Sequence, residues 1–123
     1  MTGIKVNGQT LELSLSEIKR IGRAVGSVVD EVGERENPHA LAVADEYGRL
    51  EEKIFNYKGT MLNDIGCLEL TVYELERAWY ATKRAAIESA LLSNNTPIGL
   101  YGIVNQKLSW LARNLMRSDA NEK

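Results

Sequence analysis

Residues 38–61, PHALAVADEYGRLEEKIFNYKGTM, place Val43, Tyr47, Leu50, Ile54, Tyr57 and Met61 at successive steps of 4, 3, 4, 3 and 4. That spacing puts six large apolar side chains on one stripe of an α-helix, the pattern of a coiled-coil seam. The start of this helix is marked too. Asn37 is a good cap, and Pro38 suits a first helical position, where its missing N–H leaves no bond unmade.

Working toward the N-terminus, Glu34-Arg35-Glu36 reads as a polar loop, and before it Ser14-Leu15-Ser16-Glu17 has the spacing of a capping box. Ile18, Ile21, Val25, Val28 and Val32 follow at helical spacing and Gly33 is placed to end the helix, which predicts a helix over 15–33. Gly22 and Gly26 lie four apart on it. Two interior glycines cost roughly 1 kcal/mol each relative to alanine, so close approach of a backbone or a ligand is expected there. Ahead of this helix, Ile4-Lys5-Val6 and Leu11-Glu12-Leu13 alternate around Asn7-Gly8, a β-hairpin over 3–14. A lone hairpin is marginal in water, so it must lie against the helices or pair with the same hairpin of a second chain.

Toward the C-terminus, Asn63-Asp64-Ile65-Gly66 reads as a break, and Thr71-Val72-Tyr73-Glu74 repeats the capping box ahead of Leu75, Trp79, Thr82 and Ala86. A third helix is predicted over 71–92. The alternative is one continuous helix, since 43–86 nearly keeps one register. Ser93-Asn94-Asn95-Thr96-Pro97 is the clearest loop, and a last helix over 97–117 carries Leu100, Ile103, Val104, Leu108, Leu111 and Leu115, followed by a polar, frayed tail at 118–123. The expected architecture is one domain, mainly α with a short N-terminal β-hairpin. Its amphipathic, coiled-coil helices are expected to assemble as a homo-oligomer, a dimer or a multiple of dimers.

The 123 residues are 44% hydrophobic and 26% charged, a globular composition. Fifteen Lys and Arg against seventeen Asp and Glu give a net charge of -2, which argues against a DNA or RNA polymer as partner. Membrane spans and a signal peptide are not expected, and a cytoplasmic location, the host bacterial cytosol, is. One Cys and one His build neither a disulfide nor a metal site together.

His39 sits in the first turn after Pro38, where it serves as a proton carrier or, more plainly, as a surface residue. Cys67 has no neighbouring cation to lower its pKa and reads as a small core residue. Asp45-Glu46 and Glu51-Glu52 offer paired carboxylates, but Arg49 and Lys53 interleave with them as on a solvated face. Phosphate loops, nucleophile elbows and metal-ligand spacings are missing, so no enzyme, cofactor, catalytic residue or metal is expected. Cations are more suggestive. Lys19, Arg20 and Arg23 stack on the first helix, Lys83-Arg84 punctuate the third, and Arg113 and Arg117 stack on the last. Arg forks grip phosphate oxygens, and a glycine backbone at Gly22 or Gly26 lets a ligand approach bare N–H groups. Among Trp79, Tyr80, Tyr101 and Trp110, one or two rings are available to stack on a base, while Asn amides read its edge.

A small acidic chain with a short N-terminal β element, long C-terminal helices, clustered Arg and an Asn-containing loop resembles the Thoeris anti-defence sponges of phages. The resemblance implies a non-enzymatic homo-oligomer that sequesters cyclic ADP-ribose isomers, and in some members cyclic oligonucleotides, depriving an immune effector of its signal. Ser93-Asn94-Asn95-Thr96 leading into a helix with Arg113 is similar to that family's loop Asn and late-helix Arg around the ligand. Tyr80 is the aromatic nearest in kind to the one that family places before its Asn. The ligand site expected on these grounds comprises Arg20, Arg23, Gly26, Tyr80, Arg84, Asn94, Asn95, Thr96 and Arg113. Two other classes stay open. One is an anti-CRISPR-type inhibitor that blocks a host defence complex through its acidic run at 45–46, 51–52 and 69–76. The other is a structural or regulatory helical oligomer without a small ligand.

Overall fold

The computed structural model describes residues 3–35, 37–60, 67–92 and 98–121. Asn7 and Gly8 take positive φ angles of 49° and 84°, the pair of left-handed residues that a tight hairpin turn requires. They join β1 (Gly3–Val6) to β2 (Gln9–Glu12) in antiparallel register, Ile4 opposite Leu11 and Val6 opposite Gln9. A third strand, β3 (Cys67–Glu69), pairs with β1 in parallel, with Ile4 beside Leu68 and Lys5 beside Glu69, so the sheet order is β2-β1-β3. Ile4, Val6, Leu11 and Leu68 are buried, while Lys5, Thr10 and Glu69 are exposed. The hairpin is therefore paired and buried within its own chain, against β3 and the helices.

Among the described residues there are four helices, α1 (Leu15–Gly33), α2 (Pro38–Thr60), α3 (Val72–Leu92) and α4 (Ile98–Asn121). The starts of the first three are built as the sequence predicts. Ser14 and Glu17 close a reciprocal capping box at α1, Asn37 Oδ1 accepts from the Ala40 amide at 2.8 Å, and Thr71 and Glu74 form the second box at 2.9 and 3.1 Å. Gly33 does end α1, but without a left-handed residue, because Glu34 continues in the right-handed region. β3 between α2 and α3 rules out one continuous helix. α4 runs to Asn121, through most of the stretch read as a frayed tail.

The core is one cluster fed by every element. α1 contributes Ile18, Ile21, Val25 and Val28, and α2 contributes Tyr47, Leu50 and Ile54, with Val43 and Tyr57 packed at its margin. The α2 seam thus faces its own chain, chiefly α1, and not a second copy; Met61 lies outside the described residues. On α4 the core positions are Val104, Leu108, Leu111 and Leu115, whereas Leu100 and Ile103, expected on the same stripe, are exposed. Among the described residues three ion pairs join α3 to α1 and α2: Lys53 with Glu74, Arg77 with Glu46, and Arg84 with Glu31. No described helix is long and apolar enough to cross a membrane.

Candidate functional site

Residues 80, 83, 84, 87 and 88 share one face of α3 because a helix returns to the same side after three, four, seven and eight residues. Tyr80, Lys83, Arg84, Ile87 and Glu88 accordingly wall an open cleft of about 330 Å³. Tyr80 is half exposed, and the buried phenol of Tyr47 on α2 is pushed up by burial, with Tyr80 adding to the effect. Lys83 holds its Nζ 4.9 Å from the centre of the Trp79 ring, a cation–π contact that leaves its donors open to water. Arg84 is held at both sides, by Glu31 of α1 and by Glu88 at 3.2 Å, so its fork is already shared between two carboxylates.

Of the nine residues expected to bind ligand, the structure brings Tyr80 and Arg84 together in this cleft. Arg113 lies elsewhere, in a groove of about 360 Å³ walled by Trp79, Ser109, Ala112 and Met116, with its Nε donating to the Ser109 carbonyl at 3.4 Å. The separation follows from geometry, since Trp79 and Tyr80 are one residue apart and project about 100° apart around α3. Arg20 is half-buried and Arg23 exposed on α1; neither lines these clefts. At Gly26 the close approach is real, but the group that fills the space is the Glu51 carboxylate of α2, into which a Cβ would run. Asn94, Asn95 and Thr96 fall outside the described residues.

A larger cleft, about 520 Å³, lies between the hairpin turn and the start of α3, walled by Lys5, Asn7, Gly8 and residues 69–73. It is a poor anion site. The Thr71 and Glu74 amides are already taken by the capping box, and the Glu69 and Glu74 carboxylates add negative charge at this helix start. A third cleft holds Glu17 and Lys107 of α1 and α4, bonded at 2.8 Å. Burial pushes the Glu17 carboxyl up, but the Lys107 and Ser14 bonds outweigh it and hold the group below its ordinary value. Glu74 behaves alike: burial raises it, while Thr71 and Lys53 bring it down further.

His39 is exposed at the start of α2, and Cys67 is half-buried on β3. The acids of α2 are distributed over separate partners, Asp45 with Arg49 at 3.0 Å and Glu46 with Arg77 at 2.5 Å. Among the described residues no group of three or more His, Cys, Asp or Glu is arranged to hold a metal ion. Lys83 and Ile87 stand beside Tyr80 and Arg84 on grounds visible in the sequence, their helical spacing, whereas the Glu31 contact to Arg84 had no signal there. Compared with known proteins, the chain matches no family model, no curated protein and no solved structure.

Proposed function

We propose that this chain is a non-enzymatic binding protein that sequesters a cyclic nucleotide, a cyclic ADP-ribose isomer or a cyclic oligonucleotide, at the α3 cleft. The observation that carries the reading is the meeting of Tyr80, Lys83 and Arg84 on one face. A phenol ring offers a base a stacking surface, and an ammonium and a guanidinium offer phosphate oxygens charged donors. A phosphate entering the cleft competes with Glu31 and Glu88 for the Arg84 fork. Binding therefore weakens when Arg84 is lost and tightens when Glu88 is neutralised.

The test is a thermal-shift screen against cyclic ADP-ribose isomers and cyclic di- and trinucleotides, followed by recovery of the ligand. A ligand that binds only the folded chain adds about 2.7 kcal/mol at a hundred times its Kd. A raised Tm, unchanged ligand on recovery, loss of the shift in Arg84→Ala and a larger shift in Glu88→Gln support the reading. No shift with any of these nucleotides overturns it. A second reading, an interaction module built on helices, is favoured by a separate observation: Tyr73, Tyr80 and Ile87 are large and exposed at seven-residue intervals on α3.

A further inference from the structure

Tyr73, Tyr80 and Ile87 are exposed by 71%, 49% and 52% respectively. At about 100° per residue, positions seven apart stay within roughly 20° of one line along the helix. That line runs opposite the side on which α3 buries Ala78, Ala81 and Thr82, and each of its three side chains keeps about half or more of its surface exposed.

The two flanks of the row differ in charge balance. On one flank stand Arg77 and Arg84, both answered within the chain, by Glu46 and by Glu31 with Glu88. On the other stand Glu76 and Lys83, both exposed, and neither makes an ion pair among the described residues. Glu76 lies four residues before Tyr80, and Lys83 three after it.

We propose that a second copy of this chain docks on this row, the two α3 helices antiparallel and related by a two-fold axis beside Tyr80. In that register Tyr80 meets its own symmetry mate and Tyr73 faces the partner's Ile87. A two-fold perpendicular to the helices keeps each flank on its own side of the contact. Glu76 therefore arrives level with the partner's Lys83, offset by about 1.5 Å along the axis, and symmetry supplies the pair twice. Parallel pairing instead exchanges the flanks and sets Glu76 beside the partner's Arg77, already held by Glu46, and Lys83 beside the partner's Arg84, so only the antiparallel arrangement pairs the two unanswered charges with each other. Arg77 and the partner's Arg84 meet on the other flank, where the carboxylates of each copy offset them. The contact does not depend on a nucleotide, and because it uses Tyr80, Lys83 and Ile87 it competes with a nucleotide for the same face.

Sedimentation equilibrium of the full chain without nucleotide, over a wide concentration range, tests the proposal. The wild type is expected to approach a dimer. Tyr80→Glu and Ile87→Glu should each raise the dissociation constant roughly tenfold or more, as for a central aromatic or aliphatic anchor. Glu76→Lys and Lys83→Glu should each weaken the dimer, and the two together should restore it, with circular dichroism confirming that every variant folds. A wild type that stays monomeric overturns the proposal. So does a dimer indifferent to Tyr80→Glu, or a double variant no tighter than the single ones.

Discussion

The hairpin of α1 and α2 and the hairpin of α3 and α4 are held by different chemistry. The first is built from large aliphatic side chains: Ile18, Ile21, Val25 and Val28 on one helix, Leu50 and Ile54 on the other, all nearly or fully buried. The second buries Leu75 with the alanines Ala78 and Ala81 on α3 and Val104, Leu108 and Leu111 on α4, and carries in addition a polar chain across its seam. Trp79 Nε1 donates to Ser109 Oγ at 2.6 Å, and the Asn105 amide donates to the Trp79 carbonyl at 2.9 Å and to Thr82 Oγ1 at 3.2 Å. The fully buried Thr82 hydroxyl donates in turn to the Ala78 carbonyl at 2.9 Å. Apolar contact stabilises in proportion to area but tolerates sliding, whereas directional bonds fix register. α3 and α4 thus add to their aliphatic contact a set of bonds that fixes their register.

The comparison is broken most directly at Ile54, which is fully buried in the aliphatic seam. Ile54→Ala should cost about 2–5 kcal/mol, the range for truncating a buried aliphatic, measured by urea unfolding. A loss much below this would mean that the α1–α2 seam collapses around the gap. Next in size is Asn105→Ala, which removes the donor to two acceptors, one of them on a fully buried side chain. It should cost about 1–3 kcal/mol by the same measurement, and the α4 amides should lose more hydrogen-exchange protection than those of α1. Equal loss in both hairpins would show that the polar chain has no local role.

The smallest effect is in the acid limb. Glu17 and Glu74 sit below their ordinary carboxyl value of 4.5 in the folded chain. Between that value and the folded ones the unfolded chain binds more protons. Their contribution is thus complete above about pH 4.5 and is lost as pH falls through the lowered values. Glu74→Gln should flatten the fall in Tm below pH 4.5, where the wild-type carboxylate loses its bonds to Thr71 and Lys53. An unchanged acid limb would place the sensitivity elsewhere.

The difference between the hairpins also explains what could be read from the residues alone. Aliphatic periodicity announces α1 and α2, and Ser14-Glu17 and Thr71-Glu74 announce the helix starts, because each of these signals lies within a few consecutive residues. β3 was not legible. Its three residues alternate too briefly to be read as a strand, and its partner Gly3–Lys5 lies in a distant part of the chain. Leu100 and Ile103 look like core by spacing, but α4 turns its buried side through Val104, Leu108 and Leu111. The candidate site divides in the same way. Tyr80, Arg84 and Glu88 come together through local helix geometry, while the Glu31 carboxylate on Arg84 and the displacement of Arg113 to another groove follow from how α1 and α4 pack on α3.

The parallel pairing of β1 with β3 also imposes an order of events. The β1–β2 hairpin closes over a two-residue turn, on a timescale of about 1–10 μs for such elements. The register that sets Gly3 beside Cys67 cannot form until α1 and α2 have brought the chain back, because closing so long a loop costs entropy that only packed helices offset. The central strand of the sheet is therefore half-completed early and finished late. Its junction with β3 is the non-local half of a sheet whose other half is local, and is expected to close after the hairpin.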